Sequence, residues 1–134
     1  MKPYVDRMIL DRWVDLFCYE DEVVAPTIVE VENALRNLNA KTRTMISLHG
    51  GQDAYLTVGG GGGEYVVYKS ANDERIWNLM CDSGNRSEVV LLNIGGQEGE
   101  FSANQVIDED RMLQAARTFF WHGSIDPALC WEKQ

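Results

Sequence analysis

Cysteine and histidine are scarce in this sequence of 134 residues. It contains three cysteines, Cys18, Cys81 and Cys130, and two histidines, His49 and His122. The cysteines are odd in number, widely spaced and without a Cys-x-x-Cys pair, so the sequence predicts neither a disulfide framework nor a zinc site. A reducing compartment fits this composition best, and we expect no metal or other cofactor.

Long apolar runs are also missing. No uninterrupted apolar stretch approaches the roughly 20 residues that a membrane-spanning helix needs. Charged residues interrupt the N-terminal segment MKPYVDRMILDRWVDL, where a signal peptide would remain apolar. The sequence therefore predicts a cytoplasmic protein without a membrane partner.

Basic residues are outnumbered by acidic ones. The chain has 12 lysines and arginines against 21 aspartates and glutamates, which gives a formal net charge of −9. Such a charge repels polyphosphate and anionic lipid, so direct nucleic-acid binding is not expected. The acidic surface can serve solubility or attract a basic partner, and the charge by itself does not separate these two functions.

Signatures of common catalytic and nucleotide-binding sites are absent as well. The run from Gly59 to Gly63 lacks the Gly-Lys-Ser/Thr ending and the following helix of a phosphate loop, and is typical of a hairpin tip. His49-Gly50-Gly51 resembles the oxyanion loop of some esterases, but no Gly-x-Ser-x-Gly elbow accompanies it. No spacing among the carboxylates selects an acid/base pair. We therefore predict a binding protein and not an enzyme. The alternatives are a small carboxylate-dependent enzyme and a ligand-binding or adaptor domain.

What is present suits a single small core. Hydrophobic residues make up 45% of the chain, and this length is typical of one domain. Residues Arg12 to Tyr19 alternate as a half-buried strand does, and we predict that this strand ends at an acidic turn, Glu20 to Glu22. A helix starting at Asp6 is the competing interpretation of the N-terminal segment.

Two helices and further strands are predicted downstream. The first helix begins at Thr27, a capping residue with Glu30 three positions on, and continues to about Leu38. The second follows Asp108 and stops at Gly123. Period-two patterns predict strands at Thr44 to His49, Ala54 to Val58, Glu64 to Lys69, Arg75 to Cys81 and Glu88 to Ile94. Short connections imply antiparallel pairing. The predicted fold is one α+β domain over residues 1–134, with an antiparallel meander sheet of about five to seven strands and two helices packed mainly on one face.

The C-terminal part carries a composite signature. The segment FSANQVID at 101–108 is followed by MLQAARTFF at 112–120, and then by Gly123, Pro127, Leu129 and Trp131-Glu132. Over roughly residues 95 to 132, this order resembles the first-numbered family of bacterial polymorphic-toxin immunity proteins. Its members typically end in a strand with a valine, a helix with paired alanines and a double phenylalanine, a glycine stop, and a proline followed by a tryptophan.

The resemblance implies a function as well as a scaffold. It implies that the chain binds a toxin domain made by the same cell, often a nucleic-acid deaminase or nuclease, and blocks its active site. The acidic charge agrees, because such toxins need basic surfaces for their substrates. The signature residues, such as Phe119 and Phe120, are expected to fill the helix–sheet interface. Contact residues cannot be transferred, because the surface that recognises one toxin is expected to vary between members.

Partner contacts are therefore predicted from chemistry and position alone. The acidic candidates lie in predicted turns or at strand ends, and they are Glu20, Asp21, Glu22, Asp73, Glu74, Glu98 and Glu100. Tyr65 and Trp77 lie on uncertain faces of their strands and are the candidate aromatic anchors. The expected partner is a basic, nucleic-acid-processing toxin domain.

Overall fold

Nine strands and two α-helices form the described part of the chain, residues 2–51, 53–71, 75–81 and 87–134 of a computed structural model. The strands are β1 Val5–Val14, β2 Phe17–Val24, β3 Met45–Gly50, β4 Ala54–Gly61, β5 Glu64–Ala71, β6 Arg75–Met80, β7 Val89–Ile94, β8 Gln97–Ser102 and β9 Cys130–Lys133. The helices are α1 Ile28–Arg36 and α2 Glu109–His122, and a short 3-10 turn, Ala103–Gln105, follows β8. No described helix is long and apolar enough to cross a membrane.

Seven of the strands form one antiparallel sheet in the order β2-β1-β3-β4-β5-β6-β9. Both helices contribute buried side chains to a core that they share with one face of this sheet. The core includes Val31 and Leu35 from α1, Met112, Phe119 and Phe120 from α2, and Ile46, Leu48, Leu56, Val58 and Val67 from the sheet. The predicted α+β fold, with its helices on one face, is confirmed.

Strand β7 does not join this sheet. A strand was expected at Glu88 to Ile94 as part of the meander, but β7 pairs with β8 in a separate two-stranded sheet. Gly95 and Gly96 connect the two strands with φ values of 65° and 79°, which suits the tight turn of a hairpin. The place beside β6 is taken by β9, which the strand pattern did not predict. The prediction that β7 belongs to the meander was wrong. A sequence pattern can indicate that a strand forms, but tertiary contacts decide which sheet that strand joins.

The N-terminal segment forms two strands, and the helix from Asp6 is therefore wrong. The chain reverses at Asp15 and Leu16, and not at the predicted acidic turn. Asp15 has a φ of 55°, a conformation that aspartate tolerates better than most residues because its short side chain hydrogen-bonds locally. Glu20, Asp21 and Glu22 consequently lie within β2, paired with β1.

Both predicted helix starts and the stop at Gly123 are confirmed, whereas α1 ends at Arg36, slightly before the predicted end near Leu38. Thr27 and Glu30 form a reciprocal capping box: the Glu30 amide donates to Thr27 Oγ1 at 3.1 Å, and the Thr27 amide donates to Glu30 Oε1 at 2.9 Å. Asp108 caps α2 by accepting from the Arg111 amide at 2.9 Å. Gly123 ends α2 in the left-handed conformation, with a φ of 70°. Each of these signals acts within four residues and is therefore readable from sequence.

The glycine run forms the β4–β5 hairpin tip, as predicted, and it is packed against the connection between α1 and β3. Gly61 forms a β-bridge with Asn39, and the Gly60 amide donates to the Thr44 carbonyl at 2.9 Å. A Cβ on Gly61 would lie 2.5 Å from the Leu38 carbonyl carbon and the Asn39 nitrogen. The tip thus needs glycine because another stretch of backbone passes close to it.

Candidate partner-binding surface

The face of the large sheet opposite the helices, which we call the open face, is lined by small polar side chains and tyrosines. Leu56 points into the core, so the next residue, Thr57, points to the open face. Thr57 pairs with Tyr68, and Ser70 pairs with Tyr55 on the same side. Thr57 and Ser70 are buried, whereas both tyrosines are half-buried. The open face therefore offers a polar floor flanked by aromatic rings.

His49 also lies on the open face, where its ring stacks on Tyr55 with 5.3 Å between centroids. Burial, and then the positive charge of Arg7, lower the pKa of His49, while Asp6 and Glu22 act in the opposite direction. Since the ordinary histidine pKa is about 6.5, the imidazole is neutral near pH 7. In the described ranges, no group of three or more histidine, cysteine or acidic side chains is arranged to hold a metal ion.

The β7–β8 hairpin lies over one end of the open face. Ile94 packs directly on Gly59, where a Cβ would come within 2.6 Å of the Ile94 side chain. At the hairpin turn, the amides of Gly95 and Gly96 donate to Thr44 Oγ1 at 2.9 and 3.3 Å. The Trp13 ring packs against Gly96. These contacts hold the hairpin on the strands beneath it.

Asp11 is the buried centre of this attachment. Its side chain is 5% exposed, and its Oδ1 accepts from the amides of Thr44 at 2.7 Å and Met45 at 3.0 Å. Its Oδ2 accepts from Trp13 Nε1 at 2.8 Å and from the Thr44 hydroxyl. The same hydroxyl oxygen accepts from the hairpin turn, so one carboxylate links β1, β3 and the hairpin. The role of Asp11 was not predicted from the sequence. Its main partner, Thr44, lies 33 positions away, so no local pattern connects the two residues.

A cleft of about 610 Å³ opens between the hairpin and the sheet. Its lining combines amide, apolar and carboxylate side chains: Val66, Tyr68, Ile76, Asn78, Ile94, Gln97, Glu98, Gly99, Glu100, Phe101, Gln105 and Gln134. Apolar walls with a few polar groups are typical of sites that receive a ligand or a partner's side chain. The cleft can therefore accept an inserted group and orient it through the amides and carboxylates.

Four of the predicted acidic residues lie toward the open face or its cleft. Glu98 and Glu100 are exposed on β8 and line the cleft. Glu20 pairs with Asp11, and Glu22 pairs with Ile9, so both point to the open face from β2. The structure thus places two carboxylates on the hairpin and two on the outer strand of the same face.

Asp21 is the remaining acidic candidate that the structure describes. Asp21 points to the opposite face of β2, where Arg12 Nε lies at 3.1 Å and Arg43 Nη1 at 2.8 Å from its Oδ2. The hydrogen bonds from Arg12 and then Arg43 lower the pKa of Asp21. This carboxylate is already paired within the chain. Asp73 and Glu74 lie outside the described residues.

The two predicted aromatic anchors are not on the open face. Tyr65 is 2% exposed and belongs to the core, so its ring is not presented to a partner. This corrects the expected exposed position, and the reason is that β5 turns Tyr65 toward the helices. Trp77 is half-buried on the same side of the sheet, with the Lys133 ammonium 5.8 Å from its ring centroid.

Sequence reasoning also missed an exposed apolar group at the end of the β1–β2 hairpin. This hairpin tip consists of Val14, Leu16, Phe17 and Tyr19, and all four side chains are exposed. Leu16 is 91% exposed and Phe17 68%. Large apolar side chains clustered at the surface mark interaction sites in many proteins. The signal in the sequence was the pair Leu16-Phe17, but its exposure depends on where the chain turns.

A helix-backed sheet with a mixed cleft, exposed carboxylates and an apolar tip has the features of a small protein-binding domain. Comparison with family models identifies the protein family. The model described as immunity protein Imm1 matches residues 19–133, and the chain belongs to this family of immunity proteins. The match runs from β2 to β9 and confirms the resemblance seen in the C-terminal signature. The comparison with curated proteins gives no match.

Proposed function

We propose that this chain neutralises a basic, nucleic-acid-processing toxin domain, such as a deaminase or nuclease, by occluding its active site in the cytoplasm. Membership of an immunity family implies a cognate toxin as the partner. The observation that carries the finer proposal is the acidic open face, with Glu98 and Glu100 at the cleft and Glu20 and Glu22 on β2. An enzyme that acts on nucleic acid needs a cationic substrate groove, which this surface complements in charge.

Occlusion requires area as well as charge. A stable inhibitory complex buries on the order of 1,600 Å² in total, which is more than the cleft by itself supplies. We therefore assign the open face and the β7–β8 hairpin together to the interface. The carboxylates speed encounter, and desolvated side chains at the centre set the residence time. No chemistry by this chain is needed for such a mechanism.

Co-expression tests the proposal directly. Cells that produce the toxin domain encoded beside this chain should survive when the chain is present and die when it is absent. The matched control is an unrelated acidic protein of similar size and net charge, which should not protect, because protection requires shape as well as charge. Equal killing with and without the chain would contradict the proposal. The purified complex should also lack activity on single- or double-stranded nucleic acid.

Salt dependence of association provides a second prediction. Between low and high ionic strength the association rate constant should fall roughly tenfold, while the dissociation rate changes much less, because screening acts on long-range attraction. The double variant Glu98→Gln with Glu100→Gln should flatten this dependence. Stopped-flow mixing with the toxin domain measures both rates.

The matched control carries Glu64→Gln with Asp110→Asn, which removes the same charge at exposed positions at the start of β5 and on α2. This control should retain nearly the full salt dependence. If the control and the cleft variant behave alike, net charge and not the cleft carboxylates drives association. A salt-independent association rate for the unmodified pair would contradict electrostatic recognition altogether.

A further inference from the structure

Strand β2 is an edge of the large sheet that no other described strand covers. Val14 and Phe17 close the two-residue turn of the β1–β2 hairpin as a pair, and antiparallel strands alternate between hydrogen-bonded and non-hydrogen-bonded pairs. The next pair, Trp13 with Cys18, is therefore non-hydrogen-bonded. In agreement, the Trp13 amide points away from β2 and donates to the Thr42 carbonyl at 2.9 Å.

The same alternation continues along β2. Cys18, Glu20 and Glu22 direct their backbone N–H and C=O groups to the free edge, whereas Tyr19 and Asp21 direct theirs to β1. The free edge thus carries three successive donor and acceptor pairs in an eight-residue strand. This is the template that an added strand needs.

The opposite edge of the sheet, strand β9, is less suited to strand addition. Strand β9 has four residues and ends with Lys133, and short edges that carry lysine resist strand addition. Strand β2 has twice that length, with the sequence FCYEDEVV, which contains no lysine, arginine or proline. The two edges of one sheet are therefore protected unequally.

The negative charge of β2 indicates which kind of strand can pair with its free edge. Glu20 and Glu22 are exposed, and no described residue forms a salt bridge with either of them. Antiparallel pairing of β2 with β2 of a second copy would bring these carboxylates against each other, and like charges across a strand pair are destabilising. A strand with basic side chains at alternate positions would instead pair favourably with them. The edge thus disfavours self-association and favours a cationic partner.

The apolar tip of the β1–β2 hairpin adds a contact surface at one end of this edge. Leu16 and Phe17 are the most exposed members of the tip, and they adjoin Cys18, the first residue of the free edge. The family match begins at Tyr19, so most of the tip lies outside the part that the chain shares with the family model. A surface outside the matched part of the chain is free to differ between family members, as recognition of one partner among many requires.

We propose that the free edge of β2 is the docking site for an extended cationic segment of the cognate toxin. That segment adds as an outer strand, places basic side chains opposite Glu20 and Glu22, and contacts the hairpin tip with apolar side chains. The inference rests on the proposed function, because it takes the toxin domain as the partner. It extends that function by naming the backbone edge and the chemistry of the segment that binds there.

Amide exchange and thiol labelling of the purified complex test the proposal without substitutions. In the free chain, the amides of Cys18, Glu20 and Glu22 should exchange quickly, whereas those of Tyr19 and Asp21 are protected by β1. Binding of the toxin domain should protect all three edge amides. Alkylation of Cys18 should also slow in the complex, while alkylation of Cys130 on the β9 edge, which is likewise exposed, should not.

Two variants and their control complete the test. Glu20→Lys and Phe17→Ser should each raise the Kd for the toxin domain at least about tenfold, through charge repulsion and loss of an apolar anchor respectively. Glu64→Lys, an equal charge reversal at an exposed position away from the edge, should change the Kd less than about twofold. Melting curves should match for all three, because the changed side chains are exposed. A complex that forms while the edge amides stay unprotected and Glu20→Lys binds normally overturns the β2 proposal and leaves the immunity function standing. Failure of the unmodified chain to bind or protect overturns both.

Discussion

Replacing Asp11 by alanine should lower the free energy of unfolding by about 3 kcal/mol, because it leaves one buried and two part-buried donors without their acceptor. The amides of Thr44 and Met45 and the Trp13 indole N–H all donate to this carboxylate. Each buried donor that loses its partner costs about 1–3 kcal/mol, and water entering the gap compensates for part of the loss. Urea denaturation followed by circular dichroism measures the change.

Two further variants make this result specific. Asp11→Asn keeps one oxygen for the backbone amides but turns an NH₂ group toward the other donors, so its loss should be intermediate. Glu20→Gln changes an exposed carboxylate that pairs with Asp11 across β1 and β2, and its unfolding midpoint should remain within error of the unmodified chain. Equal stability of Asp11→Ala and Glu20→Gln would show that the network does not hold the hairpin in place.

Replacing Gly61 by alanine should also cost about 3 kcal/mol, and the cause is backbone crowding. Gly61 has a φ of 145°, and a Cβ there would lie 2.5 Å from two backbone atoms of Leu38 and Asn39. Backbone cannot rotate out of the way as a flexible side chain can. Accommodation therefore requires the α1–β3 connection to move away from the sheet.

Gly62 provides a matched control for this substitution. It has a φ of 67°, so alanine is strained there too, but a Cβ would meet no atom within 4 Å. Gly62→Ala should cost about 1 kcal/mol, the ordinary penalty of the left-handed conformation. The difference between the two variants isolates the close approach of Leu38 and Asn39. If both variants lose the same stability, conformational strain and not packing explains the glycine run.

Local chemistry in the sequence was sufficient to predict the helices and the α+β class, whereas the family was indicated by the resemblance of the C-terminal signature. Thr27, Glu30, Asp108 and Gly123 act on backbone groups within four residues of themselves, so their effect does not depend on the rest of the fold. The strands in the centre of the sheet alternate clearly because one of their faces is buried against the helices. The order of residues in the C-terminal signature reflects the same core, in which Phe119 and Phe120 are fully buried.

The candidate site was predicted only in part. Glu20, Glu22, Glu98 and Glu100 were selected as acidic surface residues, and the structure places them toward the open face or its cleft. Sequence could not distinguish them from Asp21, because alternation separates two sets of side chains without saying which set faces the helices. A shift of one residue in strand register exchanges the two faces. The face of Tyr65 was uncertain for the same reason, and the structure places its ring in the core.

The tertiary structure alone decided which strands share a sheet and which edge stays free. Charge, helix caps and strand periodicity are properties of short segments, and the sequence by itself determined these. By contrast, the pairing of β9 with β6 joins residues about 50 positions apart in the chain, and the separation of the β7–β8 hairpin from the large sheet depends on tertiary packing. The burial of Asp11 under the hairpin, and the exposure of the β2 edge with its apolar tip, follow from those pairings. Such contacts are selected by the packing of the whole domain, which no single segment encodes.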